Sequence, residues 1–208
     1  MKFKVILIVT AVLLAVSATA GAEEIAGLPL HIEKMGDGAI RVWLGDHAPT
    51  TTVIAFGTDK GIVVVDTFGA PAVDAKLRKV IARELGRNDF AYLINTHEHR
   101  DHTGGNSVYS DCTIVGHELV ETGLNAIASA RERSLETYPR FLAEMEAELE
   151  AFDEGDPEAA ALAEEIVYRR LMLDGIRENQ ALLAPNLTFS DRLTLNLGDT
   201  TFELYFVG

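Results

Sequence analysis

Thr96-His97-Glu98-His99-Arg100-Asp101-His102-Thr103-Gly104-Gly105-Asn106 is the stretch around which this chain is organised. Three of the six histidines and a carboxylate fall within six residues, directly after the apolar run Ala91-Tyr92-Leu93-Ile94, which has the character of a buried strand. Neutral imidazole is the commonest protein ligand for zinc, and a carboxylate oxygen beside it suits a second, harder position. From an extended turn, His97 and His99 point the same way while Asp101 and His102 are carried past them. Two ligand pairs then face two neighbouring metals. The Gly104-Gly105 pair is expected to let the backbone turn tightly beside them.

His97-Glu98-His99-Arg100-Asp101-His102 resembles the His-x-His-x-Asp-His signature of the metallo-β-lactamase superfamily, and Thr103-Gly104-Gly105-Asn106 is similar to its usual continuation. The resemblance runs over about residues 40–208. It implies an α/β fold, the αβ/βα sandwich of that superfamily, present as its first half and the start of the second. It also implies a ligand set: His97 and His99 on a first metal, Asp101 and His102 on a second, with a nucleophilic hydroxide between them. Asp101 would then be the catalytic group as well as a ligand, because it orients that hydroxide. Two cations lower the pKa of a bound water and polarise the oxygen of the group it attacks.

The activity implied is zinc-dependent hydrolysis of an ester, thioester, amide or lactam, with two zinc ions in a complete domain and a small molecule as substrate. Iron-dependent sulfur oxidation uses the same signature and stays open. So does a non-catalytic copy, because family members place a further metal-binding histidine, a bridging aspartate and a last histidine beyond the position matched by Gly208. The chain alone is therefore expected to hold zinc loosely.

A formal net charge of -14 argues against nucleic acid or an anionic membrane as a partner, since both attract basic surfaces. With 208 residues, nearly half of them apolar, the chain can build one core of ordinary size. A single cysteine, Cys112, excludes an internal disulfide and reads as a small core residue. Oligomeric state is not legible. Lys2 and Lys4, the apolar residues 5–16 and the small residues 17–22 have the order of an export signal, so residues 1–22 are set apart from the domain at 23–208. A secreted, periplasmic protein follows, with no stable membrane association after cleavage.

Residues 38–44 and 51–56 read as antiparallel strands, and the β-branched run Ile62-Val63-Val64-Val65 as a strand covered on both faces. From Pro71 to Leu85, Val73, Leu77, Val80, Ile81 and Leu85 form a helical stripe that Gly86 ends. A right-handed crossover through this helix would make its flanking strands parallel and bring Asp66 to the histidine loop. Asp66 is expected to support that loop by hydrogen bonds without ligating. His31, His47 and His117 are left out of the ligand set. A helix is expected to open at 104–109, and Cys112 to Gly116 to form the next strand.

An insertion at about 118–183 is expected to be helical, with helices near 119–133, 139–152 and 158–182. Residues 141–168 hold ten acidic residues and no Lys or Arg, the composition of a solvated helical hairpin on the rim, or of a lid over the cleft. From Asn186 the period returns to two, with Gly198-Asp199 as the turn of a hairpin that opens a second sheet.

Overall fold

A computed structural model describes residues 23–36, 38–47, 50–153, 156–178 and 182–207, so the export signal expected at 1–22 lies outside the described residues. The described residues open with five strands, β1 (Glu24–Ile25), β2 (Leu28–Lys34), β3 (Ala39–Leu44), β4 (Val53–Thr58) and β5 (Gly61–Val65), each antiparallel to the one before. The sequence pattern alone does not mark β2 as a strand. Its alternation of Leu28, Leu30 and Ile32 with Pro29, His31 and Glu33 is interrupted by a proline that cannot donate to a ladder.

The helix α1 (Pro71–Leu85) follows, with the expected bounds: Pro71 starts it and Gly86 caps it at φ 65. It crosses to β6 (Phe90–Ile94), which runs parallel to β5 with Val65 opposite Ile94. Next come a one-turn helix α2 (Arg100–Thr103), a 3₁₀ turn at Asn106–Tyr109 and β7 (Thr113–His117), again parallel. Helix therefore starts earlier than the expected 104–109 and is broken into two short pieces.

Three insertion helices, α3 (Leu119–Ser129), α4 (Arg131–Glu150) and α5 (Pro157–Arg177), precede β8 (Leu187–Phe189). Pro139 lies inside α4 instead of opening it. A proline there forfeits one backbone hydrogen bond, yet Leu142 and Met145 of α4 gain burial against Ile166 and Leu173 of α5, which outweighs the local preference. Asp156 caps α5 by accepting from Glu158 N at 2.9 Å, ahead of Pro157 in the first turn. Leu187 and Phe189 were expected in the second sheet. They instead pair parallel with β7 and complete the first, eight-stranded sheet, whose spatial order is the order of the sequence. The hairpin of β9 (Arg192–Asn196) and β10 (Thr201–Tyr205) stands apart as a two-stranded sheet.

Side-chain alternation in the central strand separates two cores. Ile62 and Val64 point to the face covered by Val73, Leu77, Val80 and Ile81 of α1, and this core takes in Tyr168 and Met172 of α5. Val63, with Ile94 and Val115, points to the other face, where Leu195 and Leu197 of the hairpin cover it. Each such side chain, fully buried, contributes about 1.5–3 kcal/mol. Cys112 is buried in the first core, and burial pushes its thiol up to about 12, the behaviour of an inert packing residue. Among the described residues no helix is long and apolar enough to cross a membrane.

The outer face of α4 is acidic and solvated: Glu144, Glu148 and Glu150 are exposed, and Glu146 meets Arg170 at 2.8 Å across a largely exposed pair. Replacing all four with Gln should change stability by less than about 1 kcal/mol. Leu142→Ala, which empties the core between α4 and α5, should cost about 2–5 kcal/mol. Urea unfolding of the two variants checks this contrast, and the reverse ranking would show that the carboxylates stabilise the insertion more than its apolar seam does.

Candidate metal centre

β5 and β6 run parallel, so their carboxyl ends emerge side by side and release Asp66 and Asn95 at one edge of the sheet. Asp66 is buried and held at φ 61, a left-handed conformation that a non-glycine residue adopts only when its surroundings enforce it. Those surroundings are visible. Asp66 N donates to Ile94 O at 2.8 Å, while its carboxylate accepts from Thr96 N at 2.8 Å, Thr96 Oγ1 at 2.7 Å and His102 Nδ1 at 2.9 Å.

These bonds determine which ring nitrogens face the site. Because the single hydroxyl hydrogen of Thr96 goes to Asp66, Thr96 Oγ1 must accept from His97 Nδ1 at 2.9 Å. Both His97 and His102 thus hold a proton on Nδ1 and turn Nε2 inward, the arrangement that prepares imidazole for a metal. Three imidazoles come together here: the ring centroid of His97 lies 4.6 Å from that of His99 and 4.0 Å from that of His102. Asp101 Oδ2 is 3.4 Å from His102 Nε2 and accepts from Thr51 Oγ1 at 3.3 Å. All four residues of the expected ligand set therefore gather at one loop. Their ligand atoms do not close into a trio within 4.8 Å of one another. Among the described residues that spacing is met by Asp46, His47 and Glu164.

That second group has a structural occupation, since Glu164 Oε1 and Oε2 accept from Asp46 N at 3.0 Å and His47 N at 2.7 Å, pinning the β3–β4 loop to α5. His47 showed no ligand-type neighbour at useful spacing in the sequence, because Glu164, which completes the group with Asp46 and His47, lies 117 positions from His47. His31 stacks on Trp43 and meets Asp46 at 2.6 Å. His117 has both nitrogens engaged, accepting from Leu119 N and donating to Ser190 O.

The glycine pair works differently from the expectation. Gly104 and Gly105 have φ of -63 and -90, ordinary values for any residue, so the backbone does not need glycine to turn. Crowding requires it: a Cβ on Gly104 would meet Gly69 O at 2.5 Å, and one on Gly105 would meet Asp74 Oδ2 at 2.2 Å. Asp74 was missed as a site residue. It accepts from Phe68 N at 2.7 Å and Gly69 N at 3.1 Å, and burial pushes its carboxyl up to about 7. One signal was present: Asp74 stands three residues before Leu77 and seven before Ile81, on the apolar stripe of α1. Asn95 and Asn106 were missed too. They exchange reciprocal amide bonds at 2.8 and 3.0 Å, and Asn95 also donates to His102 O at 3.1 Å.

A model of the metallo-β-lactamase superfamily matches residues 44–188, more than half of the chain, and the chain belongs to that superfamily. Curated relatives include the beta subunit of 2,4-dinitroanisole O-demethylase from Nocardioides sp. (strain JS1661), 30% identical over 80 residues. Its alpha subunit is 32% identical over 81. Each match covers 38% of this chain and about a quarter of the relative, 25% and 24%. Among solved structures, a metallo-β-lactamase from Pontibacter korlensis matches 85% of this chain and 60% of its own, at 18% identity and a TM-score of 0.48. A metallo-β-lactamase from Hirschia baltica matches 45% and 46%, at 21% identity and a TM-score of 0.40.

Two outcomes are expected. Gly105→Ala forces a methyl group into the Asp74 carboxylate and should cost about 1–3 kcal/mol, measured by chemical unfolding. The second concerns protons. Burial opposes charge on His102, but hydrogen bonds to Asp101 and Asp66 prevail and raise its pKa to about 9 without metal. Burial and the neighbouring imidazoles hold His97 below its ordinary value. A metal at His102 Nε2 must then displace a proton at neutral pH, so zinc affinity should fall about tenfold per pH unit below 9. Calorimetry at pH 7.5 in buffers of different ionisation heat should register release of about one proton. Zero release would mean that His102 is already neutral.

Proposed function

We propose that this chain is a metal-dependent hydrolase of the superfamily, acting on an ester, thioester, amide or lactam, with zinc held by His97, His99, Asp101 and His102. One observation carries the reading: the Asp66–Thr96 network presents the Nε2 atoms of His97 and His102 at the loop that also holds Asp101. The metal, when bound there, supplies an acidified water and a Lewis acid for the substrate oxygen. The chain's own residues orient and hold protons. Without metal, the hydrogen bond from His102 Nε2, opposed by burial, holds the Asp101 carboxyl down to about 2, so the carboxylate is already ionised when a metal arrives at neutral pH. Thr51 donates to Oδ2 of Asp101, which leaves Oδ1 free of that contact for orienting the attacking water. The curated relatives are named for an O-demethylation, and we include cleavage of an activated methyl ether among the reactions to be screened.

Metal analysis of the full chain, paired with turnover of a nitrophenyl ester and a thioester, tests this reading. Two zinc ions with hydrolysis would support it, even where zinc is held loosely and turnover is small, and Asp101→Ala should then lower that turnover by about 10²–10⁴-fold while far-UV circular dichroism is unchanged. One bound iron with no hydrolysis would favour the sulfur-oxidising reading. Undiminished turnover in Asp101→Ala would overturn the assignment of its role.

A further inference from the structure

Arg100 separates the two halves of the ligand motif, and its side chain leaves the loop beneath the insertion. Its Nε is buried with no hydrogen-bond partner. Among the described residues its guanidinium makes no hydrogen bond or ion pair, although the other buried polar groups of this loop are satisfied. The nearby charge is of its own sign: Arg131, whose Nε and Nη2 donate to Ile176 O and Arg177 O at the end of α5. Arg100 itself is half-buried, and a cation partly withdrawn from water without a partner favours an anion beside it. The insertion carboxylate beside this cavity, Glu165, is engaged by Arg169.

Arg100 lines a cavity of about 200 Å³ with Asp101, Tyr138, Tyr168, Arg169 and Met172. Its walls come from both parts of the molecule: Arg100 and Asp101 from the candidate metal loop, the others from α4 and α5. Tyr138 offers a hydroxyl, and the hydroxyl of Tyr168 is shared with Thr51. Arg169 brings a second guanidinium, held by Glu165 through Nε and Nη2 at 3.1 and 2.8 Å, with Nη1 3.5 Å from the Tyr138 hydroxyl. Asp101 is the carboxylate of this lining, and its Oδ2 is engaged by Thr51 and His102. Forked N–H donors with hydroxyls beside them match the oxygens of a carboxylate or phosphate.

We propose that this cavity is a substrate-recognition subsite for an oxyanion, in which Arg100 takes an anionic group, a carboxylate or a phosphate, of a substrate whose reacting bond lies at Asp101. The assignment of the reacting bond rests on the hydrolase reading; the anion site does not. The subsite gives the insertion a role in recognition, since α4 and α5 wall it beside the metal loop. It also accounts for a cation retained without an internal partner in a chain of formal net charge -14, where an anion needs a local positive group to enter.

The test is calorimetric titration of the metal-free full chain, at constant ionic strength, with inorganic phosphate in one arm and succinate in the other. Saturable binding of at least one is expected, and the tighter arm identifies the group. Arg100→Met should abolish it, Arg100→Lys should weaken it about tenfold by losing the fork, and Arg169→Gln should weaken it in the same direction. Arg78→Gln, at a pair with Asp111 remote from the cavity, should leave it unchanged. Because no turnover is read, failure of hydrolysis leaves this result standing. Conversely, absence of saturable binding for both anions, or wild-type binding in both Arg100 variants, would overturn the subsite even with hydrolysis intact.

Discussion

A single carboxylate holds the two halves of the candidate site in register. Asp66 leaves the end of β5 in a left-handed conformation and accepts three hydrogen bonds from the loop that follows β6. Two of those donors, Thr96 Oγ1 and His102 Nδ1, lie one bond away from the surfaces that would meet a metal. Strain in the backbone, strand pairing and imidazole tautomer are thereby tied together. Asp66 could not reach both donors if β5 and β6 were offset by another residue, because the neighbouring side chain would point to the opposite face of the sheet.

A second layer of support surrounds the first and is made of close approaches. Asp74 fills the space where a Cβ on Gly105 would stand, and Gly69 O fills that of Gly104. The loop after β5 and the loop after β6 are consequently packed backbone to backbone, with Thr67 N donating to His102 O at 3.1 Å and Gly105 N to Thr67 Oγ1 at 3.1 Å. Such contact leaves little freedom for the histidines to drift, which is the condition for a preorganised centre. The insertion adds a third wall: Tyr168 is buried in the first core beside Phe68, with ring centroids 5.2 Å apart. Its helices are thus solvated on one face and packed against the domain by the other.

The periodic parts of the chain are legible in the sequence. The stripe of α1, the β-branched run of β5 and the clustered histidines declare themselves because each depends on residues within a few positions of one another. The superfamily is legible for the same reason, its signature being contiguous. Even Asp66 can be placed, since a strand, a crossover helix and a second strand leave few topologies to consider. Helix limits in the insertion are less legible, because Pro139 signals a start locally while burial of Leu142 and Met145 keeps the helix going through it.

Sequence alone determined the candidate ligands, the central strands and the helix between them, since spacing and side-chain chemistry are local properties. Tertiary structure alone decided why Gly104 and Gly105 are glycines, which nitrogens of His97 and His102 face inward, and that Leu187 and Phe189 join the first sheet. It alone decided that Arg100 faces Tyr138, Tyr168 and Arg169. Each of these depends on atoms tens of residues apart in the chain, and the free energy of a close contact or a hydrogen bond exists only once the fold has brought its two partners together.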